Sequence, residues 1–417
     1  MAVAALGALT VLVGIGSLVP AASGHRAVTH AAFAQQCADP FPVHRNPSNP
    51  LMLSPAPPAG NPLVGARFFV DGPAHGSAAG AIAHLLGIDT STPLGTALPG
   101  FPDRESWGTF ARFVAEELPT VRKSVAHEVR ELEKIAAEPE PQRISLFSQG
   151  GTPAGIFDQT QKLFCQNFSA DPGAIPIINT YFLHPELGGC PTLASIDAYV
   201  PTFEAQIQAL AAGVANRPAV LLLELDAIGS SACIAKAGLL PEWEAMLHYE
   251  VDALSSLPHT VVYLEGGYSD ANTPAYAARI LNASGVSQTE GFYTNGTHLN
   301  WTINEIKYGE KISKLTNGAH FVINTALNGN GPKRNPHPRT QGVEDLCNAP
   351  GRALGPRPTT HTGYTDVDAF LWVIVPGNSS GTCGGGPPSG VFWPARAIGL
   401  AERANARLGP HFPSRPY

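Results

Sequence analysis

Ala219-Val220-Leu221-Leu222-Leu223-Glu224-Leu225-Asp226 is an unbroken apolar run that closes on two carboxylates. A strand that is apolar on both faces must be covered on both, as in a parallel sheet flanked by helices. The run therefore predicts a fully buried strand over residues 219–225. Outward from it, shorter apolar runs at 67–70, 144–147, 175–183, 260–264, 291–293, 320–324 and 370–375 also read as strands. Helical patterns separate most of them, most clearly at 106–137, 156–164, 196–215, 241–257, 274–283, 303–316 and 394–406. Strand and helix in alternation imply right-handed βαβ units. Seven or eight such units predict a single-domain α/β fold, a distorted parallel β/α barrel. The alternative, a doubly wound open sheet, lacks support because neither a GxGxxG nor a Walker sequence follows the first strand.

The flanks bound the rest. Residues 1–34 open with an apolar run, Val3 to Val19, too short to span a bilayer, followed by small residues. This predicts a secretory signal, cut after Ala34, rather than a membrane anchor, so the mature chain is expected to be secreted and free of the membrane. Residues 35–60 are rich in Pro without a period and predict an extended segment. Residues 61–410 then form the barrel, and 411–417 a tail. Gly and Pro number 43 and 39 while charged residues are only 14% of the chain, so much of the length is uncharged loop, where function tends to sit. The 26 basic and 33 acidic residues include no basic run, which excludes a nucleic-acid surface and suits a neutral ligand. Six cysteines without CxxC spacing predict three disulfides rather than a metal site, with fifteen pairings open on counting alone.

In a barrel, chemistry gathers at the carboxyl ends of strands. There the first run offers Glu224 and Asp226, two apart and so expected on one face, where a pair of carboxylates raises the pKa of one of them. The next run ends in Glu265-Gly266-Gly267-Tyr268, a second acid at the same level. Tyr181 leads into His184-Pro185-Glu186, an aromatic platform with a third acid, and Trp372 in the last strand is a candidate for stacking on a sugar.

These motifs, taken in order, resemble the family 6 glycoside hydrolases, the cellobiohydrolases and endoglucanases that cut β-1,4-glucan with inversion on a distorted β/α barrel. The resemblance runs over roughly residues 60 to 410. Residues 219–226 resemble the family's strand ending in Glu-Pro-Asp, which implies that Asp226 is the proton donor. Val262-Tyr263-Leu264-Glu265-Gly266-Gly267 is similar to Tyr-Leu-Asp-Ala-Gly, and Phe292-Tyr293-Thr294-Asn295 to Ala-Thr-Asn. Asn324, Asn328-Gly329, Leu346-Cys347-Asn348-Ala349-Pro350-Gly351-Arg352 and Gly355-Pro356-Arg357-Pro358 keep the family's order and spacing. Phe370-Leu371-Trp372-Val373 before Pro376-Gly377 matches its final strand. The resemblance implies substrate contacts at Tyr181, Ser195, Asn295, His298, Trp372 and Asn378. It also implies disulfides Cys190–Cys233 and Cys347–Cys383, which leaves Cys37 with Cys165. It implies no cofactor and no metal, a polysaccharide or oligosaccharide substrate, and a monomer.

The chain also departs from the pattern. The Asp that assists the proton donor is missing ahead of Cys190, and the family's Lys, Glu and proposed base Asp correspond to Ile374, Asn378 and Ser380. Glu265, Glu186 and Asp71 are the substitutes for water activation. Val391 follows Gly381 by 10 positions, where tunnel-forming members carry a longer loop, so an open, endo-type cleft is expected. The reading is a secreted inverting glucanase with a remodelled water side; its rival is a carbohydrate-binding barrel that has lost turnover.

Overall fold

The computed structural model describes residues 60–73, 76–88, 107–171, 173–187, 190–332 and 346–408. The signal, the extended segment, the tail and Cys37 therefore lie outside the described residues. No helix among the described residues is long and apolar enough to cross a membrane.

Seven parallel strands, β1 to β7, neighbour one another in chain order: Gln142–Ser145, Ile177–Tyr181, Ala219–Leu223, Thr260–Glu265, Gly291–Thr294, His320–Asn324 and Val367–Leu371. The sheet curls into an incomplete barrel. No ladder joins β1 to β7 among the described residues, and the eighth expected strand, 67–70, is reduced to one bridge, Phe68 with Ile175.

β3 shows why the pattern gives a barrel. All five of its residues are buried. Val220 and Leu222 join Ile177, Val261, Tyr263, Tyr293, Val322, Ala369 and Leu371 in the cluster that fills the curl of the sheet. Leu221 and Leu223, pointing the other way, are equally inaccessible beneath the helices. Burying such a side chain is worth about 1.5–3 kcal/mol, so a polar residue at any of these positions would oppose the fold.

A second cluster covers the β7 side. It joins residues of α1 (Ser77–Leu85), α2 (Trp107–Glu117), α3 (Lys123–Ala136) and α11 (Pro394–Leu408). The single long helix expected at 106–137 is two, interrupted between Glu117 and Lys123. The remaining helices follow their strands: α4 (Pro153–Ala170) after β1, then α5 (Leu183–Leu187) and α6 (Leu193–Val214) after β2, α7 (Ala232–Ala237) and α8 (Leu240–Ser255) after β3, α9 (Pro274–Ala283) after β4 and α10 (Thr302–Leu315) after β5.

Two disulfides tie loops at the strand ends. Cys190 bonds Cys233, joining the segment before α6 to α7, and Cys347 bonds Cys383, anchoring the chain that follows β7.

Candidate active site

The two acids at the end of β3 do not share a face. The strand stops at Leu223, and Glu224 and Asp226 both take left-handed backbone conformations, φ 51° and 69°. Non-glycine residues rarely adopt these, and such strain persists where surrounding contacts hold it. Glu224 turns back to β2, where its carboxylate accepts the amides of Phe182 (3.0 and 3.1 Å) and Leu183 (2.8 Å). Burial pushes its carboxyl up to about 7, against those amides. Thr180 links it to a second buried acid, receiving the Glu224 amide and donating to Glu250 of α8, each at 2.8 Å. Glu224 therefore orders the loop after β2 and does not reach the mouth of the barrel.

Asp226 stays partly accessible. The Tyr268 hydroxyl donates to its Oδ1, and Thr297 donates to the same oxygen at 2.7 Å. Tyr268 can lie there because Gly229 has no side chain, since a Cβ at that position would overlap the tyrosine ring. The ring stacks on His298 with centroids 3.7 Å apart, and His298 Nδ1 pairs with Asp270 at 2.8 Å. Burial alone would raise the Asp270 carboxyl, but the bonds from His298 and Asn300 hold it below the ordinary range. His298 thus stands one layer behind Asp226, fixing Tyr268.

Glu265 ends β4 and is wholly buried. It accepts the amides of Ile228 (2.6 Å), Gly229 (3.0 Å) and Gly267 (2.7 Å). Burial, with the Asp226 charge adding to it, raises its carboxyl to about 8 despite those three donors. Its geometry is that of a residue holding the loop after Asp226, not of a base facing it. The other two substitutes are also placed elsewhere: Glu186 is exposed on the short α5, and Asp71 is buried and receives the Gln142 amide at 2.8 Å.

Four residues expected to touch substrate have side chains bonded within the fold. Ser195 forms a reciprocal cap with Thr192 at the start of α6, each side chain bonding the other's backbone amide. Asn295 is fully buried and ties the end of β5 to Asn324 and Asn300 through its amide. Trp372 is 2% exposed, donates to Pro356 O at 3.1 Å and belongs to the cluster under α1–α3 and α11. It comes just after β7, which runs from Val367 to Leu371 rather than over 370–375, because Asn324 Oδ1 takes the Val373 amide and ends the pairing. His298, as described, supports Tyr268.

Asn378 borders open space, and Tyr181 is partly accessible. A cleft of about 370 Å³ lies where β1 and β7 fail to meet, lined among others by Gln142, Arg143, Asn179, Ile374, Asn378 and Ser380. Arg143 Cζ sits 5.3 Å over the Tyr181 ring, which links this cleft to the end of β2. Ser380 is exposed there, and its amide donates to Asn348 at 2.9 Å. Arg143, Thr297 and Tyr268 escaped the sequence reading. Tyr268 stood there only as the end of Glu265-Gly266-Gly267-Tyr268, and Arg143 lay one position ahead of the run at 144–147.

The profile described as Glycosyl hydrolases family 6 matches residues 191–404, just over half of the chain. The chain belongs to family 6 of the glycosyl hydrolases. The match begins after β2, later than the resemblance at residue 60 implied. Endoglucanase A of Cellulomonas fimi is 31% identical over 198 residues, 48% of this chain and 41% of that protein. Endoglucanase 1 of Streptomyces sp. (strain KSM-9) is 29% identical over 277 residues, 64% of this chain and 70% of that protein. The chain thus spans less than half of the first of these relatives. Among solved structures, an endoglucanase from Mycobacterium tuberculosis in complex with methyl-cellobiosyl-4-deoxy-4-thio-β-D-cellobioside superposes with a TM-score of 0.64 at 29% identity. It covers 83% of this family member and 99% of the neighbour, so the fold likeness extends well ahead of the matched profile.

Proposed function

We propose that the protein is a secreted glucanase that hydrolyses β-1,4-glucan by inversion, with Asp226 as the proton donor. The observation that carries the proposal is the pair of hydroxyls on Asp226 Oδ1. Both donate to one oxygen, so the transferable proton belongs on Oδ2. A carboxyl with one oxygen clamped and the other presented at a strand end is arranged to protonate a glycosidic oxygen. Names of the relatives, endoglucanases and cellobiohydrolases, support the substrate class. The short segment between Gly381 and Val391 favours attack within chains over a tunnel.

Inversion also requires a water to lose a proton on the opposite face of the sugar, with the two carboxyls roughly 6.5–9.5 Å apart. Ser380 matches the family's base position, Glu265 and Asp71 accept hydrogen bonds within the fold, and Glu186 is exposed on α5. A positioned base is worth roughly 10²–10⁴-fold, so turnover is expected to be lower than a full pair of carboxylates would give. That same observation favours a second reading, a barrel that binds glucan chains without cutting them.

Release of reducing ends from soluble β-glucan by the wild type and Asp226→Ala separates the two. Wild-type release well above the variant supports the glucanase. Equal release, with chain binding intact, supports the binding barrel.

A further inference from the structure

We propose that the cleft between β1 and β7 accepts a β-1,4-linked glycan bearing a carboxylate, and that Arg143 recognises it. This rests on the reading that the cleft holds a β-1,4-glucan-type chain and adds the charge that chain carries. Arg143 belongs to β1, in register with Asn179 of β2, and lines the cleft beside Asn378 and Ser380. Other arginines of the fold have carboxylates, as Arg279 does with Glu244 at 2.8 Å and Arg357 with Glu138 at 3.3 Å. Among the described residues, the Arg143 guanidinium has no ion pair and no side-chain hydrogen bond; its contact is the face of Tyr181, 5.3 Å away.

Asp226 acts on Arg143 through its charge without an ion pair between them, and the acid of the cleft wall, Glu140, is turned elsewhere. Glu140 is committed to Ser77, accepting its amide at 2.9 Å and its hydroxyl, and burial raises the Glu140 carboxyl above its ordinary range. Stacking on Tyr181 engages one face of the guanidinium and leaves its N–H donors without a side-chain acceptor among the described residues. Those donors match a carboxylate in a two-point, charge-assisted pair, which a neutral hydroxyl cannot reproduce. The protein carries a formal charge of −7, so its overall field does not draw anions and the attraction has to be local. A glucose unit oxidised at its hydroxymethyl carbon is the smallest change that places a carboxylate on such a chain without altering the linkage.

Calorimetric titration of the full chain with cellotetraose and with its C6-oxidised counterpart, at low and high salt, tests this. The oxidised ligand should bind about tenfold tighter at low salt, with the advantage shrinking as salt rises, because an ion pair at an open cleft is screened. Arg143→Gln should bring the two ligands to within about twofold, while Arg143→Lys, a point charge without the fork, keeps part of the preference. Thermal midpoints of both variants establish that they are folded, and the lysine form carries the test if the glutamine form is not. Equal binding of the two ligands by the wild type, or a preference that survives Arg143→Gln, would falsify the inference. If cellotetraose is bound and cut in an Asp226-dependent way without that preference, the glucanase reading stands alone. If the oxidised ligand is bound through Arg143 and neither ligand is cut, the charge recognition stands and the hydrolytic reading fails. Absence of binding for both ligands overturns both.

Discussion

At Asp226 the Tyr268 and Thr297 hydroxyls both bond Oδ1 and so fix the orientation of the carboxyl group. Tyr268→Phe is therefore expected to lower kcat by about tenfold through looser positioning, with KM changed by less than about twofold. An unchanged kcat would show that Tyr268 does not position Asp226. Ser380 lines the cleft, is exposed and matches the family's base position, so restoring an acid there tests the water side. Ser380→Asp should raise kcat by about tenfold or more and introduce an acidic limb near the usual carboxylate range. No gain would place the water-activating side elsewhere. Gly229 belongs to the same set of contacts, since the Tyr268 ring fills the space of its missing side chain.

Among the elements, each acid at a strand end serves the loop that follows a neighbouring strand. Glu224 after β3 holds the amides after β2, and Glu265 of β4 holds the amides after Asp226. These cross-links explain how two non-glycine residues remain in left-handed conformations in the segment 224–226. α6 illustrates a different outcome. Ser195 keeps the family's position relative to Cys190, but its hydroxyl bonds Thr192 O at 2.8 Å and the Thr192 amide at 2.9 Å. Ser195→Ala is accordingly expected to cost about 1 kcal/mol of stability in denaturant titrations, with KM unaltered. A raised KM at undiminished stability would instead make it a substrate contact.

For the molecule as a whole, the buried acids set the pH dependence of stability. Burial raises the carboxyls of Glu138, Glu224 and Glu290 to about 7 and that of Glu265 to about 8. A folded-state value above the unfolded one means the folded chain binds the proton more tightly. Their contribution is complete below about pH 4.5 and is lost as pH rises through about 7 to 8. His320, whose pairing with Asp368 raises it, works in the same direction. The thermal midpoint should therefore drop by about 5 °C or more between about pH 5 and pH 8, and a midpoint that rises over this window would contradict these assignments. The parallel strands, their order and the enclosed core were legible from the apolar runs, because burial on both faces leaves a continuous hydrophobic signature such as residues 219–223. The run itself did not tell Asp226, which stays partly accessible, from Glu224, which closes the same run and is wholly buried. Nor were the side-chain partners of Glu224, Glu265, Ser195, Asn295 and Trp372 legible. Sequence spacing assumes that a strand continues, and the left-handed turn after Leu223 breaks that assumption. Whether a polar side chain meets solvent or a neighbour's amide depends on which loops the closing sheet brings together. For the same reason only the tertiary structure decided that Arg143 of β1 would stand in a cleft beside residues that follow β7, where the sheet fails to close.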